Sequence, residues 1–369
     1  MVNQTADAIV IGGGIAGCAA AYFLAREGRS VTLIEKDAVA SHASGKAFGE
    51  LLPEIVRDAN DPTADIVRGS LATHRLLGEQ LAERVRAVRR EKAAVLVADS
   101  DHLADQYRQL YRNNSDLIGD VRWLEHGELS HIEARISPEV RGGLYLGDAA
   151  EIDPHQFTST LWQAAEQAGA VLVNAEVLDI RDDGPNGATV STGTSSFTAP
   201  VVVVAAGPWS GALLQRVGIT VPVEPLKGQI VRLEVPATEM RVSLWWGGDY
   251  ATSKPDGLFW CGTTEERVGF NEEPTQAAQD SIIASAARIL PFLAQGKVIR
   301  HTACLRPVSG DGMPVIGRLN NESSIVVATG GGRNGMVLGP GLGRCAADIA
   351  TGQKPSFNVS RLGPSRFLR

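Results

Sequence analysis

The sequence predicts an α/β fold in which a parallel, dinucleotide-type sheet is joined to a second, mainly antiparallel sheet. Three observations carry that expectation. The N-terminal stretch "ADAIVIGGGIAGCAAAYFLAREGRSVTLIEKD" reads as an apolar strand, a glycine turn, an alanine-rich helix stopped at Gly28 and a second apolar strand ending in an acid. That order is one βαβ unit. Further on, "APVVVVAAGPWSG" is apolar throughout its strand, as expected of a strand buried on both faces that returns to the first sheet. Residues 220 to 305 instead alternate short strand-like runs, "GQIVRLEV" and "GLFWCGTT", with turn residues and one helix near 275 to 290, which suits an antiparallel layer.

Length and composition are compatible with this plan. A chain of 369 residues exceeds the size at which single cores stop growing, so two domains are expected. Apolar residues make up 44% and charged residues 21%, ordinary values for a globular protein. The formal charge of −7 argues against nucleic acid as partner. The basic cluster "RVRAVRREK" at 84 to 92 is read as a solvated helix face. Four cysteines (18, 261, 304, 345) form no CxxC pair and share no metal-ligand spacing with the histidines, so neither a disulfide framework nor a metal site is expected. A reducing cytoplasm fits best. No run of 18 apolar residues occurs, and the first strand leaves no room for a signal peptide.

The elements follow in order. In "GGGIAG", Gly12, Gly14 and Gly17 form the G-x-G-x-x-G pattern between strand and helix, where glycine permits a tight turn and close approach to a pyrophosphate. The helix N-terminus opening at Ile15 and Ala16 offers N–H donors to phosphate. Glu35, closing the second strand beside Lys36, is placed to take a ribose 2′-OH. An NAD domain would continue with further βαβ units. Here the strand instead runs into "KDAVASHASGKAFGELLP", a polar, small-residue loop that can lay Ser44, Gly45 and Lys46 along a long cofactor, with Lys46 countering diphosphate charge; an ordinary surface turn is the bland alternative. From about Asp58 to Arg141 the composition is rich in Leu, Ala, Arg and Glu, and two or three amphipathic helices are expected. Strand-like runs resume at "AVLVNAEVLDI", and the strand ending in Ala205, Ala206 and Gly207 lets backbone approach a ligand. Near the C-terminus "SSIVVATGG" leads through a glycine-rich turn into the helix "GLGRCAADIAT".

These motifs, together with "ASGKAFGEL", "AEIDPHQF", "PLKGQI", "CLRPVSGDGMPVIG" and "GGGRNGMVLGPGLGRCAADIATG", occur in the order seen in the family of glycine oxidases, sarcosine oxidases and D-amino acid oxidases, and the chain resembles the bacterial glycine oxidases most. The resemblance covers nearly the whole chain and is weakest in the helical middle. It implies a Rossmann-type FAD-binding domain, discontinuous over residues 1–80, 145–217 and 305–369, and a mainly antiparallel β-sheet substrate-binding domain over 81–144 and 218–304. FAD is the implied cofactor. Around it the resemblance places, besides the residues above, Ala43, Gly49 and Leu51 of the polar loop, Val177, and the turn Gly331, Gly332, Arg333, Asn334, Gly335 and Met336, which would bring backbone N–H groups towards the flavin ring.

The same resemblance implies the substrate site. Arg306 stands where an arginine grips the substrate carboxylate, and a planar guanidinium suits that task through two parallel charge-assisted bonds. Tyr250, in "GGDYATSKPDG", would support the same carboxylate, and Arg333 would be a second pocket arginine, suited to a substrate with two carboxylates. The bland readings are a surface ion pair for Arg306, a core tyrosine, and a solvated turn for Arg333. Cys304 stands where sarcosine oxidases tether the flavin, so a thioether link or an inert core thiol are the alternatives. Glu265 replaces an apolar pocket residue and either faces a cationic substrate group or pairs with an arginine. His42 aligns with a flavin-side histidine of some D-amino acid dehydrogenases in the family, with a solvated loop residue as the alternative, and Trp245 and Trp246 are entrance or core. The implied activity is oxidation of the C–N bond of a small amino acid or secondary amine, glycine or an N-substituted glycine first, with O2 as electron acceptor and H2O2 as product. A D-amino acid dehydrogenase handing electrons to another acceptor, or a non-catalytic flavin-binding subunit, are the alternatives. A homo-oligomer is compatible with the family.

Overall fold

The computed structural model describes residues 2–53, 61–86, 88–115 and 119–367. Its centre is a six-stranded sheet in the order Val171–Asn174, Val31–Glu35, Ala8–Ile11, Val201–Val204, Ile325–Thr329 and Val315–Arg318, parallel except for the last strand. The four residues of Val201–Val204 are all buried, as a strand covered on both faces requires. One face carries the helices Ile15–Arg26, Ala64–Gln80, Pro154–Gln167 and Gly335–Ala350, which close a core with Phe23, Leu33, Phe157 and Leu342. The other face is covered by a four-stranded layer, Val2–Thr5, Ser195–Ala199, Ala188–Thr192 and Val177–Asp182, through Ile9, Phe197 and Val204.

Close helix contact explains the glycines that follow the last strand. A Cβ on Gly339 would lie 2.3 Å from the Ile15 side chain, and one on Gly343 would lie 2.5 Å from the Ala16 carbonyl. These glycines let the C-terminal helix cross the first helix at backbone distance, next to its N-terminus.

The second layer is an eight-stranded sheet, ordered Lys297–Ser309, Val223–Glu234, Phe259–Gly262, Asp249–Ser253, Ser243–Trp246, Ala94–Ala98, Gly142–Leu146 and Val121–Glu125. It is antiparallel except where Ser243–Trp246 meets Ala94–Ala98. The strand Gly142–Leu146 runs across the boundary expected at residue 144. Glu50–Leu51, Ala150–Ile152 and Arg89–Glu91 form a small separate antiparallel sheet.

The helical middle needs correction. Helices do occur at Ala64–Gln80, Ala82–Arg86, Asp101–Asn114 and His126–Ile132, but the strands Arg89–Glu91, Ala94–Ala98 and Val121–Glu125 are interleaved with them. The run "AVLVA" is buried along its whole length inside the large sheet, so sheet partners decided its conformation over the helical composition around it. The basic cluster is a solvated helix face only at Arg84 and Arg86. Its helix stops at Arg86, Arg90 bonds Glu151 and the Ser253 carbonyl, and Lys92 is buried with its Nζ donating to the same carbonyl at 2.8 Å. Of the expected helical stretch, residues 58–60, 87 and 116–118 lie outside the described residues.

Candidate active site

A cavity of about 810 Å³ opens at the carboxyl ends of the parallel strands, lined by Ile11, Ile34, Ala205 and Ala328, and extends to the eight-stranded sheet at Tyr250 and Arg306. It lies where the strand order reverses around Ala8–Ile11, which is where open α/β sheets bind ligands. At this point Gly12 has φ +108°, and a Cβ there would sit 2.5 Å from the Ala205 carbonyl oxygen. On Gly17 a Cβ would lie 1.9 Å from the Gly12 carbonyl oxygen. Thus Gly12 shapes the turn at the cavity, while Gly17 stays off the lining and allows the helix to dock.

Glu35 closes its strand with both carboxylate oxygens engaged, one accepting from the Gly13 N–H at 2.6 Å and the other from the Asp37 N–H at 2.9 Å. Ser44 accepts from the Ile15 N–H at 3.0 Å, fixing the polar loop to the helix N-terminus. Gly12, Gly14, Ile15, Ala16, Glu35, Lys36, Ala43, Ser44, Gly49, Val177, Ala206 and Gly207 all line the cavity, as do residues 331–336. Four expected positions do not: Gly17, as above, and Gly45, Leu51 and Lys46. Gly45 is turned into the Ala40 carbonyl oxygen, 1.9 Å from where its Cβ would be, and Leu51 is buried in the core. The Lys46 ammonium binds Glu272 at 2.8 Å, which takes up the charge that was expected to face a diphosphate.

His42 is not a solvated loop residue: it bridges Asp37 at 2.8 Å and Glu272 at 2.9 Å with its ring edge against Trp209. Trp209 lines the cavity and carries Lys36 Nζ 3.9 Å above its ring centre. Sequence reasoning assigned it no role.

At the other end of the cavity, Tyr250 is buried and stacked on Phe48, 3.8 Å between ring centres, with Trp245 at 4.9 Å. Burial pushes its phenol up to about 12, against the pull of the Arg306 charge, so the hydroxyl stays a donor through the neutral range. Trp246 points away into the core and donates to Ser285. Arg306 extends from Lys297–Ser309, donating to Thr263 Oγ1 at 2.7 Å and the Thr264 carbonyl at 3.0 Å. It has no carboxylate partner among the described residues, so it is not the surface ion pair of the bland reading. Arg333 does have one, Glu265 at 2.8 Å, and it also donates to the Gly248 carbonyl. Cys304 is buried in the same wall, and burial pushes its thiol up, away from the reactive thiolate.

Gly228, in the motif "PLKGQI", carries no role in the sequence. A Cβ there would stand 2.1 Å from Arg306 Nη2. In Gly228→Ala the guanidinium, the movable end of that contact, is expected to swing off its Thr263 and Thr264 anchors. The expected result is an apparent affinity for carboxylate ligands weakened about tenfold, the worth of one charge-assisted bond, with flavin content unchanged. Equal affinity in both proteins would show that Arg306 is not confined by this contact.

Glu50 was also missed. It is 8% exposed, accepts from the Trp245 indole N–H at 2.9 Å, and has its other oxygen unpartnered. Burial pushes it from an ordinary 4.5 up to about 7, although Lys254 pulls the other way. The folded state therefore holds the Glu50 proton more tightly than the unfolded chain, and stability is lost as pH rises from 4.5 towards 7. Glu50→Gln, which keeps the indole acceptor, is expected to match the wild type near about pH 5 and to exceed it on the order of 1–3 kcal/mol near about pH 8. Denaturant unfolding at the two pH values checks this, and a difference independent of pH would refute it.

Comparison with known proteins gives one consistent result. The family model described as FAD dependent oxidoreductase matches residues 7–349. A glycine oxidase of Geobacillus kaustophilus is 28% identical over 98% of this chain and 97% of its own length. A glycine oxidase of Pseudomonas aeruginosa is 30% identical, covering 98% of this chain and 99% of its own. The crystal structure of the Geobacillus kaustophilus glycine oxidase superposes with a TM-score of 0.92 at 27% identity, over 98% of this chain and 99% of that one. The residues present fit such a cofactor. The Gly12 cradle, which a Cβ would fill, and the N-terminus of Ile15–Arg26 can take a diphosphate. The Glu35 carboxylate can take a ribose hydroxyl, and residues 331–336 lie at the N-terminus of the helix Gly335–Ala350, where negative charge is stabilised.

Proposed function

The chain belongs to the family of FAD-dependent oxidoreductases, and on that premise we propose that it oxidises the C–N bond of a small amino acid, glycine or an N-substituted glycine, with O2 reduced to H2O2. The observation that carries this reading is Arg306: a guanidinium on the cavity wall, held by two neutral oxygens, with no carboxylate of the described chain to neutralise it. Such a group favours an anionic ligand with a planar, two-oxygen head. Tyr250, a hydroxyl donor beside it, can add a bond to the same carboxylate.

Bound FAD supplies the two-electron acceptor. The chain's own residues bind, orient and dry the substrate. With the carboxylate fixed on Arg306, the Cα–H can be aimed at the acceptor, which converts binding into orientation. Phe48, Trp245 and Tyr250 form an aromatic wall that excludes water. That wall favours the uncharged amine by desolvation, so no dedicated base is required. The imine formed by loss of the two electrons is hydrolysed by water to an oxo acid, glyoxylate when the substrate is glycine. The buried Cys304 thiol supports a flavin held without a covalent tether.

The test is a peroxide assay of the purified holoenzyme over glycine, sarcosine, iminodiacetate and a panel of D-amino acids. Peroxide from glycine or an N-substituted glycine is expected. Silence on all of them would reject the reading, and flavin reduction without reoxidation by air would assign the electrons to another acceptor.

A further inference from the structure

We propose that Glu265 sets which acids the cavity accepts: by occupying Arg333 it restricts the enzyme to substrates with a single carboxylate and turns away dicarboxylates. The inference rests on the reading that Arg306 holds the substrate carboxylate. It reverses the expectation that two pocket arginines suit two carboxylates.

Both arginines reach the same segment, the residues that follow the strand Phe259–Gly262. Arg306 takes Thr263 Oγ1 and the Thr264 carbonyl, both neutral acceptors. Arg333 comes from the short turn Gly332–Asn334, binding Glu265 Oε1 at 2.8 Å through one Nη and the Gly248 carbonyl through the other. Two cations and one paired anion leave a single positive charge to be met by a ligand. A second ligand carboxylate would have to displace Glu265 from Arg333, putting two carboxylates on one guanidinium. Discrimination by such a repulsive element is a common route to specificity.

The backbone that carries Glu265 is held in place through its neighbour. Glu266 and Lys227 exchange backbone hydrogen bonds at 3.0 Å in both directions, and the Glu266 carboxylate accepts from Gln229 at 2.6 Å and pairs with Lys227 Nζ at 3.3 Å. The Arg333–Glu265 pair itself is partly exposed, 34% and 46% at the two side chains. A pair so exposed adds little to folding stability, so it can be removed by substitution with the fold intact.

The test uses holoenzyme and two unreactive acids, methoxyacetate with one carboxylate and oxydiacetate with two, titrated against the flavin absorption spectrum. Wild type is expected to bind methoxyacetate the more tightly. In Glu265→Gln the affinity ratio should shift towards oxydiacetate by roughly tenfold, the worth of one charge-assisted bond, and adding Arg333→Gln should cancel that shift. An unchanged ratio in Glu265→Gln, while Arg306→Ala still abolishes binding of both acids, overturns this proposal alone. Binding of neither acid, or binding indifferent to Arg306→Ala, overturns it together with the reading on which it rests.

Discussion

Arg306→Ala is expected to lower kcat/KM for the amino-acid substrate by roughly 10²- to 10⁴-fold, because two charge-assisted bonds of about 1.5–3 kcal/mol each are lost together. The loss should appear in KM and in kcat, since the same grip both binds the carboxylate and aims the Cα–H. The fold should survive: the partners of Arg306 are the Thr263 hydroxyl and the Thr264 carbonyl, and no carboxylate is left stranded by its removal. Arg306→Lys keeps the charge but not the planar fork, so partial recovery is expected, well short of wild type. Steady-state kinetics on variants matched for flavin content checks this. A variant whose kcat/KM falls less than about threefold would remove Arg306 from the site.

The second large effect is on the cofactor. Gly17→Ala is expected to yield protein depleted of FAD, though Gly17 does not itself line the cavity. Its new methyl group would sit 1.9 Å from the Gly12 carbonyl oxygen, a backbone atom that cannot rotate aside. The helix Ile15–Arg26 must then tilt away, carrying its N–H donors out of line with a diphosphate. Gly12→Ala is expected to be worse, since φ +108° is unfavourable for an L-residue and the Cβ would meet the Ala205 carbonyl. Each should also cost about 1–3 kcal/mol of stability through overpacking. The flavin-to-protein ratio after purification and the increment in Tm on adding FAD are the measurements. A full complement of FAD in Gly17→Ala would show that the turn tolerates what its geometry forbids.

Much of the parallel half of the molecule is legible in the sequence because its signals are local. Glycines between a strand and a helix, and an acid ending the next strand, are read from neighbouring residues, and Gly12, Gly14 and Glu35 all line the cavity. The middle of the chain misleads because burial there is decided by distant partners. The strand Ala94–Ala98 is flanked by residues with helical composition, yet it pairs with Ser243–Trp246 and Gly142–Leu146. Charge pairing is hidden for the same reason. Lys46 reads as a free cation in a polar loop until Glu272, more than two hundred residues later, is brought to 2.8 Å. Arg333 reads as a second ligand for acids until Glu265 takes it.

Gly228 and Glu50 show a subtler limit. Both lie in stretches picked out by family resemblance, but their roles depend on what stands across the sheet. Gly228 is aligned with Cys304 on the strand carrying Arg306, so its missing side chain becomes room for a guanidinium two residues away. Glu50 reads as a polar residue of a surface loop, whereas its strand pairs with Ala150–Ile152 and buries the acid against Trp245.

The role of Arg306 in amino-acid oxidation is tested most directly by anaerobic mixing of holoenzyme with glycine or sarcosine, following loss of the oxidised-flavin absorption band. Bleaching whose rate saturates with substrate is expected in the wild type, and slow bleaching without saturation in Arg306→Ala. A flavin that no amino acid reduces, or one reduced with the same saturation in both proteins, would contradict that role.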